Sequence, residues 1–184
     1  MSLAKLNETL EAAFMGVERD DECTLHQAEL IDHTPEREIS DAEWSHAKEI
    51  DQATDWRQVP SADMEECGAA MSHATPQSWR FYLPAYMRRA LDLLDAQLLE
   101  TWLPGSVIHH LTFSSKYAGQ VSYTLDRFET LSTAQGRAVR TFLEYVRDYP
   151  CAVVSYRRDA ELALLKYWGL VEEKRPLRPK IILP

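Results

Sequence analysis

The sequence predicts a mainly α protein, a single-domain bundle of about six or seven helices, with one small β-hairpin near 107–125 as the only strand candidate. Three observations carry this. Apolar residues recur at i, i+3, i+4 and i+7 in several separate stretches. Two capping boxes, Ser40-Asp41-Ala42-Glu43 and Ser132-Thr133-Ala134-Gln135, mark helix starts. The 184 residues, 45% of them hydrophobic, suffice for one substantial core and not for two.

Taken in order, Leu3, Leu6, Leu10, Ala13, Phe14 and Val17 form the apolar face of a first helix, with Gly16 near its end. Residues 18–38 are polar and acidic and read as a long connection holding at most a turn of helix. Ser40 then opens a helix over about 41–54, with Ile39 and Trp44 at the hydrophobic-staple positions. Val59-Pro60-Ser61 is a break, and Ser61 caps a short helix to about Met71. Thr75 and Pro76 suit an N-cap and a first helical residue. Behind them Trp79, Tyr82, Leu83 and Tyr86 line one helical face, and Pro84 either kinks that helix or opens the next.

Met87, Leu91, Leu94, Leu98 and Trp102 continue the helical stripe as far as Leu103-Pro104-Gly105. Between 106 and 128 the signal divides. Val107, His109, Leu111 and Phe113 alternate, as do Val121, Tyr123 and Leu125, which allows a hairpin; a helical turn through 105–112 fits nearly as well. Ala138, Val139, Phe142, Leu143 and Val146 follow the second capping box and make a strongly amphipathic helix closed by Pro150. A last helix spans about Tyr156 to Trp168, with Gly169 in the C′ position. The helical domain is thus 1–168, and 169–184 is an extended, basic, proline-containing tail.

These landmarks resemble an uncharacterised bacterial domain family with a Phe-Tyr-Leu-Pro-Ala-Tyr core, here Phe81-Tyr82-Leu83-Pro84-Ala85-Tyr86. The pieces Ala13-Phe14-Met15-Gly16-Val17, Trp56-Arg57-Gln58-Val59-Pro60, Leu131-Ser132-Thr133-Ala134-Gln135, Phe142-Leu143-Glu144-Tyr145 and Tyr167-Trp168 arrive in the family's order, covering about 10–168. The family's Pro-Gly-Asp turn after the first helix is absent around Cys23 and Thr24. The resemblance implies a fold and brings no activity and no catalytic residues.

Charge and motif content narrow the function classes. The net charge of −9 argues against a general nucleic-acid binder, which needs clustered Lys and Arg. Residues 18–43 carry ten acids against Arg19 and Arg37, whereas 137–184 carry ten bases against six acids. No apolar run approaches the ~20 residues that cross a bilayer, and no signal-peptide pattern opens the chain. Three scattered cysteines fit a reducing compartment, so a cytoplasmic protein is expected.

No nucleophile elbow, phosphate loop or dinucleotide fingerprint occurs, and no cofactor is expected. Among metal-ligating residues, Cys23 and His26 form a C-x2-H pair with His33 and His46 beyond, which falls short of a zinc pattern. No metal is favoured. His109 and His110, being adjacent, point apart. The leading expectation is a non-enzymatic domain acting through a protein partner or self-association, with neither nucleic acid nor membrane involved. The alternative is a small-molecule or metal-dependent enzyme whose cleft is lined by Trp79, Arg80, Tyr82 and Tyr86 with a histidine from His73 or His109.

Overall fold

The computed structural model describes residues 1–20, 22–98, 101–113 and 118–170. Within them the chain is mainly helical and holds ten α-helices, more than the six or seven expected, together with two 3-10 turns at Trp56–Gln58 and Trp168–Leu170. The helices are α1 (Leu3–Phe14), α2 (Leu25–His33), α3 (Asp41–Ile50), α4 (Ser61–Glu66), α5 (Ala70–His73), α6 (Pro76–Asp95), α7 (Leu103–His110), α8 (Ala118–Glu129), α9 (Thr133–Asp148) and α10 (Val154–Lys166). No helix among the described residues is long and apolar enough to cross a membrane.

Helix α6 is the centre of the fold, and α1, α7 and α8 pack around it. It begins as its sequence dictates: the Thr75 hydroxyl accepts from the Ser78 amide at 3.1 Å, and Pro76 occupies the first turn. Helix geometry then persists through Pro84, which supplies no amide to the carbonyl one turn before it. Every residue from Phe81 to Met87 is buried. A helix apolar all round must be enclosed by other elements, and its polar tips need partners inside the core. The Tyr86 hydroxyl donates to the Cys67 carbonyl at 2.9 Å, and the Tyr82 hydroxyl accepts from the Leu25 amide at 3.1 Å. Two indoles do the same work elsewhere: Trp56 Nε1 donates to the Phe14 carbonyl (3.2 Å) and Trp168 Nε1 to the Leu111 carbonyl (2.8 Å).

Five expectations need correction. Ser61 does not cap one helix to Met71: Pro60 is the N-cap residue of α4, which ends at Glu66, and α5 starts anew at Ala70. The hairpin near 107–125 is replaced by α7 and α8, because Val107 and Leu111, like Val121, Leu125 and Phe128, are buried at helical spacing. The stripe from Met87 does not reach Trp102. The helix stops at Asp95, Gln97 adopts φ 56°, and Leu103–Pro104 start α7, so that Leu98 and Trp102 are exposed. The acidic connection 18–38 contains the whole of α2. Gly169 serves a close approach and not a helix C′ position, since a Cβ there would stand 2.7 Å from the Leu164 carbonyl oxygen. Of the tail 169–184, residues 171–184 lie outside the described residues.

Both expected capping boxes form. Ser40 N–H donates to Glu43 Oε2 and Ser132 N–H to Gln135 Oε1, each at 3.0 Å. Replacing Tyr86 with Phe keeps the ring and leaves the buried Cys67 carbonyl only the long bond from the Ala70 amide, 3.4 Å. Urea unfolding of Tyr86→Phe is expected to show a loss of about 1–3 kcal/mol with an unchanged m-value.

Candidate functional site

The candidate site forms where α2, α3 and α4 meet. Helix α2 owes its position to long-range capping. Of its first amides, Leu25 N–H donates to the Tyr82 hydroxyl and His26 N–H to Asp51 Oδ2 at 2.9 Å, while Thr24 N–H is taken by Gln27 Oε1 at 2.9 Å. The Gln27 side chain, fully buried, also donates from Nε2 to the Trp44 carbonyl at 2.9 Å and ties α2 to α3. Amides at a helix start lack intrahelical partners, so a carboxylate is favoured there by hydrogen bonding and by the helix dipole.

Asp51, at the C-cap of α3, is that carboxylate, and it is only 8% exposed. Its backbone is held as well, since Arg19 Nη1 donates to the Asp51 and Ala53 carbonyls. Its second oxygen accepts from His26 Nδ1 at 2.9 Å. A carboxylate can only accept, so the pair selects the imidazole tautomer protonated on Nδ1. Asp63, on α4, completes the cluster: one atom each from His26, Asp51 and Asp63 lie within 4.8 Å of one another. This is the one such metal-holding group of three among the described residues.

Two hollows adjoin the cluster. One, of about 310 Å³, runs between α2 and α3; Glu29, Glu43 and Glu66 bring charge to it, His26 lines it, and Leu30, Ala47 and Ile50 give it an apolar floor. The other, of about 400 Å³, has Asp51, Asp63 and Tyr82 on its wall. Glu43, paired with Arg37 through two bonds, is held down at about 2, chiefly by that hydrogen bonding. Glu29 accepts the Ala69 amide at 2.8 Å and lies 3.4 Å from His33.

The residues singled out from the sequence are placed as follows. Trp79, Tyr82 and Tyr86 are core residues, with Tyr82 also reaching the second hollow. Arg80 donates to Gln135 Oε1 at 3.1 Å, and His73 Nε2 lies 3.1 Å from Asp32. His109 lines a separate hollow of about 290 Å³ with His110, Tyr123 and Arg127. The buried Arg127 donates there to the Met71, Ser72 and Ala74 carbonyls, closing the end of α5. Of the metal candidates, His26 joins the cluster, His33 stays on the exposed side of α2 with Glu29, and Cys23 is buried. Asp51 and Asp63 were not singled out, since 25 and 37 residues separate them from His26 and no spacing rule links them.

Burial pushes the Cys67 thiol up to about 12 and raises that of Cys23, leaving Cys151 as the exposed thiol. A native chain at pH 8 is therefore expected to react with an aromatic disulfide reagent at Cys151 alone and at all three cysteines once denatured; Cys151→Ser removes the fast phase. His110 is the opposite case. Burial, then the charge of His109, lowers it from the ordinary value to about 3. Below about pH 6.5 the unfolded chain takes up a proton there that the folded chain refuses, so stability falls with pH towards 3. Denaturant midpoints measured against pH are expected to fall less steeply in His110→Gln.

No curated protein and no solved structure matches the chain. The profile of DUF6714, a family of unknown function, matches residues 2–171, and the chain belongs to that family.

Proposed function

We propose that the domain acts by non-covalent protein contact, and that the cleft between α2 and α3 receives a basic, lysine- or arginine-bearing segment of a partner protein. The observation that carries this is the composition of the cleft: carboxylates and histidines around an apolar floor that includes Ile50, itself 45% exposed. An exposed aliphatic residue ringed by acids suits an anchor side chain flanked by cations. The surrounding helices extend the field, because residues 25–50 hold seven acids against Arg37 and Lys48. Opposite charge accelerates encounter and fixes orientation, and both effects weaken with salt.

A second copy of the chain is a poorer occupant. Two acidic faces repel, so self-association through this cleft works against a net charge of −9.

The test is site-specific photo-crosslinking in the native cell from a probe at Leu30, with a control probe at Glu8 on α1. A discrete adduct from the cleft alone is expected, its partner carrying a basic contact segment. With that partner purified, Glu29→Lys together with Glu66→Lys is expected to weaken binding by about tenfold or more, with a shallower salt dependence. Equal adducts from both probes, or an adduct with an acidic contact surface, would sink the reading.

A further inference from the structure

The carboxylate cluster behind the cleft has a chemistry of its own. Asp51 and Asp63 bring carboxylate oxygens within 4.8 Å of each other and of an imidazole nitrogen of His26. Among the described residues no lysine or arginine pairs with either acid; the ion-pair partner of Asp51 is His26. A buried carboxylate beside a second one calls for positive charge, and an imidazole shared through a single hydrogen bond supplies little of it. Tyr82 is a further sign. Its side chain is 3% exposed and lines the hollow with both acids, and among the described residues its hydroxyl accepts from Leu25 and donates to no one. That leaves an O–H ready for an oxygen held in the hollow.

We infer that His26, Asp51 and Asp63 form a binding site for one first-row divalent metal ion of the zinc or manganese type. The donor set of one nitrogen and two carboxylate oxygens suits such ions and is too small and too nitrogenous for a calcium cage. Three protein ligands leave a position open to water, which the hollow beneath Tyr82 accommodates. Binding at Nδ1 takes the place of the hydrogen shared with Asp51. The ring keeps one proton by moving it to Nε2, so the imidazole stays neutral and no net proton is lost from it. Ligand atoms around a tetrahedral zinc stand about 3.3 Å apart, so the cluster closes slightly on loading. Asp63, half-buried on a six-residue helix, is the ligand with freedom to move.

The fold holds two of the ligands before any ion arrives. Asp51 is fixed by the His26 amide and by Arg19 on its carbonyl, and His26 sits in the first turn of a helix capped by Tyr82. Such pre-positioning means that the ion orders little chain on binding. This site stands apart from the docking reading, because metal titration involves no partner protein.

The experiment is equilibrium dialysis and calorimetric titration of the full, chelator-stripped chain with zinc(II) and with manganese(II), with thermal unfolding followed in parallel. Saturation at about one ion per chain at micromolar concentration, with a raised midpoint, is the expected result. Asp63→Asn is expected to lower affinity at least tenfold while leaving the metal-free unfolding curve in place, because Asp63 is not among the buried residues. His26→Gln gives the same loss by a second route. The double variant His33→Gln/His46→Gln, which strips the cleft's other histidines, keeps full affinity. The proposal is overturned if neither ion binds saturably, if Asp63→Asn binds as tightly as the parent, or if the His33/His46 variant is the one that loses the ion.

Discussion

The hydrogen bond from the Leu25 amide to the Tyr82 hydroxyl joins the two halves of this protein's physics. Tyr82 belongs to the stretch Phe81–Met87 of α6 that is buried on every side, where a phenol needs a partner for its oxygen. Leu25 belongs to a helix whose first amides need acceptors. One contact meets both needs, and in doing so it fixes the rotation and height of α2 against α6. The neighbouring His26 amide then falls on Asp51, and the His26 ring follows. Tyr86, Trp56 and Trp168 repeat the device at the Cys67, Phe14 and Leu111 carbonyls. A core assembled this way is directional as well as apolar. It specifies which loops meet which helices, and area burial alone does not.

The same contacts explain why so much negative charge is tolerated near α2. Asp51 is stabilised where it is by an amide at a helix start and by an imidazole, and Arg19 holds its backbone. Glu43 spends its charge on Arg37 and on the cap of α3. Glu29 closes the Ala69 amide. Each of these acids has a local structural task, yet the tasks of Glu29 and Glu43 place both carboxylates on one concave surface, and Asp51 lies on the hollow beside it. Structure and surface chemistry are therefore not separable here. Removing Asp51 unties α2, whereas among the described residues Glu66 shows no such side-chain tie and contributes to the cleft by its charge.

Legibility in the sequence followed the range of the interaction. Ser40 with Glu43 and Ser132 with Gln135 act over three residues, and both caps were readable. Thr24-Leu25-His26-Gln27 has the same form and marks α2, but it is embedded in an acidic stretch, and one of the side chains that α2 buries is the polar Gln27, so the apolar period is faint. The alternation through Val107–Phe113 misled for a related reason. Val107 and Leu111 are two alternate steps of a strand and also one turn of a helix, so the period of two and the period of 3.6 share those positions. The end of α6 was invisible because Gln97 takes a left-handed conformation that sequence reading assigns to glycine. The His26–Asp51–Asp63 cluster was half legible. His26 could be named as a ligand, but its partners arrive through tertiary structure that brings the end of α3 and the start of α4 to the start of α2.

His26 is the one residue common to both surfaces, since it lines the acidic cleft and belongs to the carboxylate cluster behind it. This has a thermodynamic consequence. A divalent ion on the cluster would offset the charge of Asp51 and Asp63 and so weaken the field that the proposed cationic segment would meet in the cleft. Occupancy of one surface would lower affinity at the other by the same factor in both directions. The coupling would pass through the His26 ring, whose proton would move from Nδ1 to Nε2 on loading and turn Nε2 from an acceptor into a donor. A metal on the cluster and a basic segment in the cleft would therefore compete.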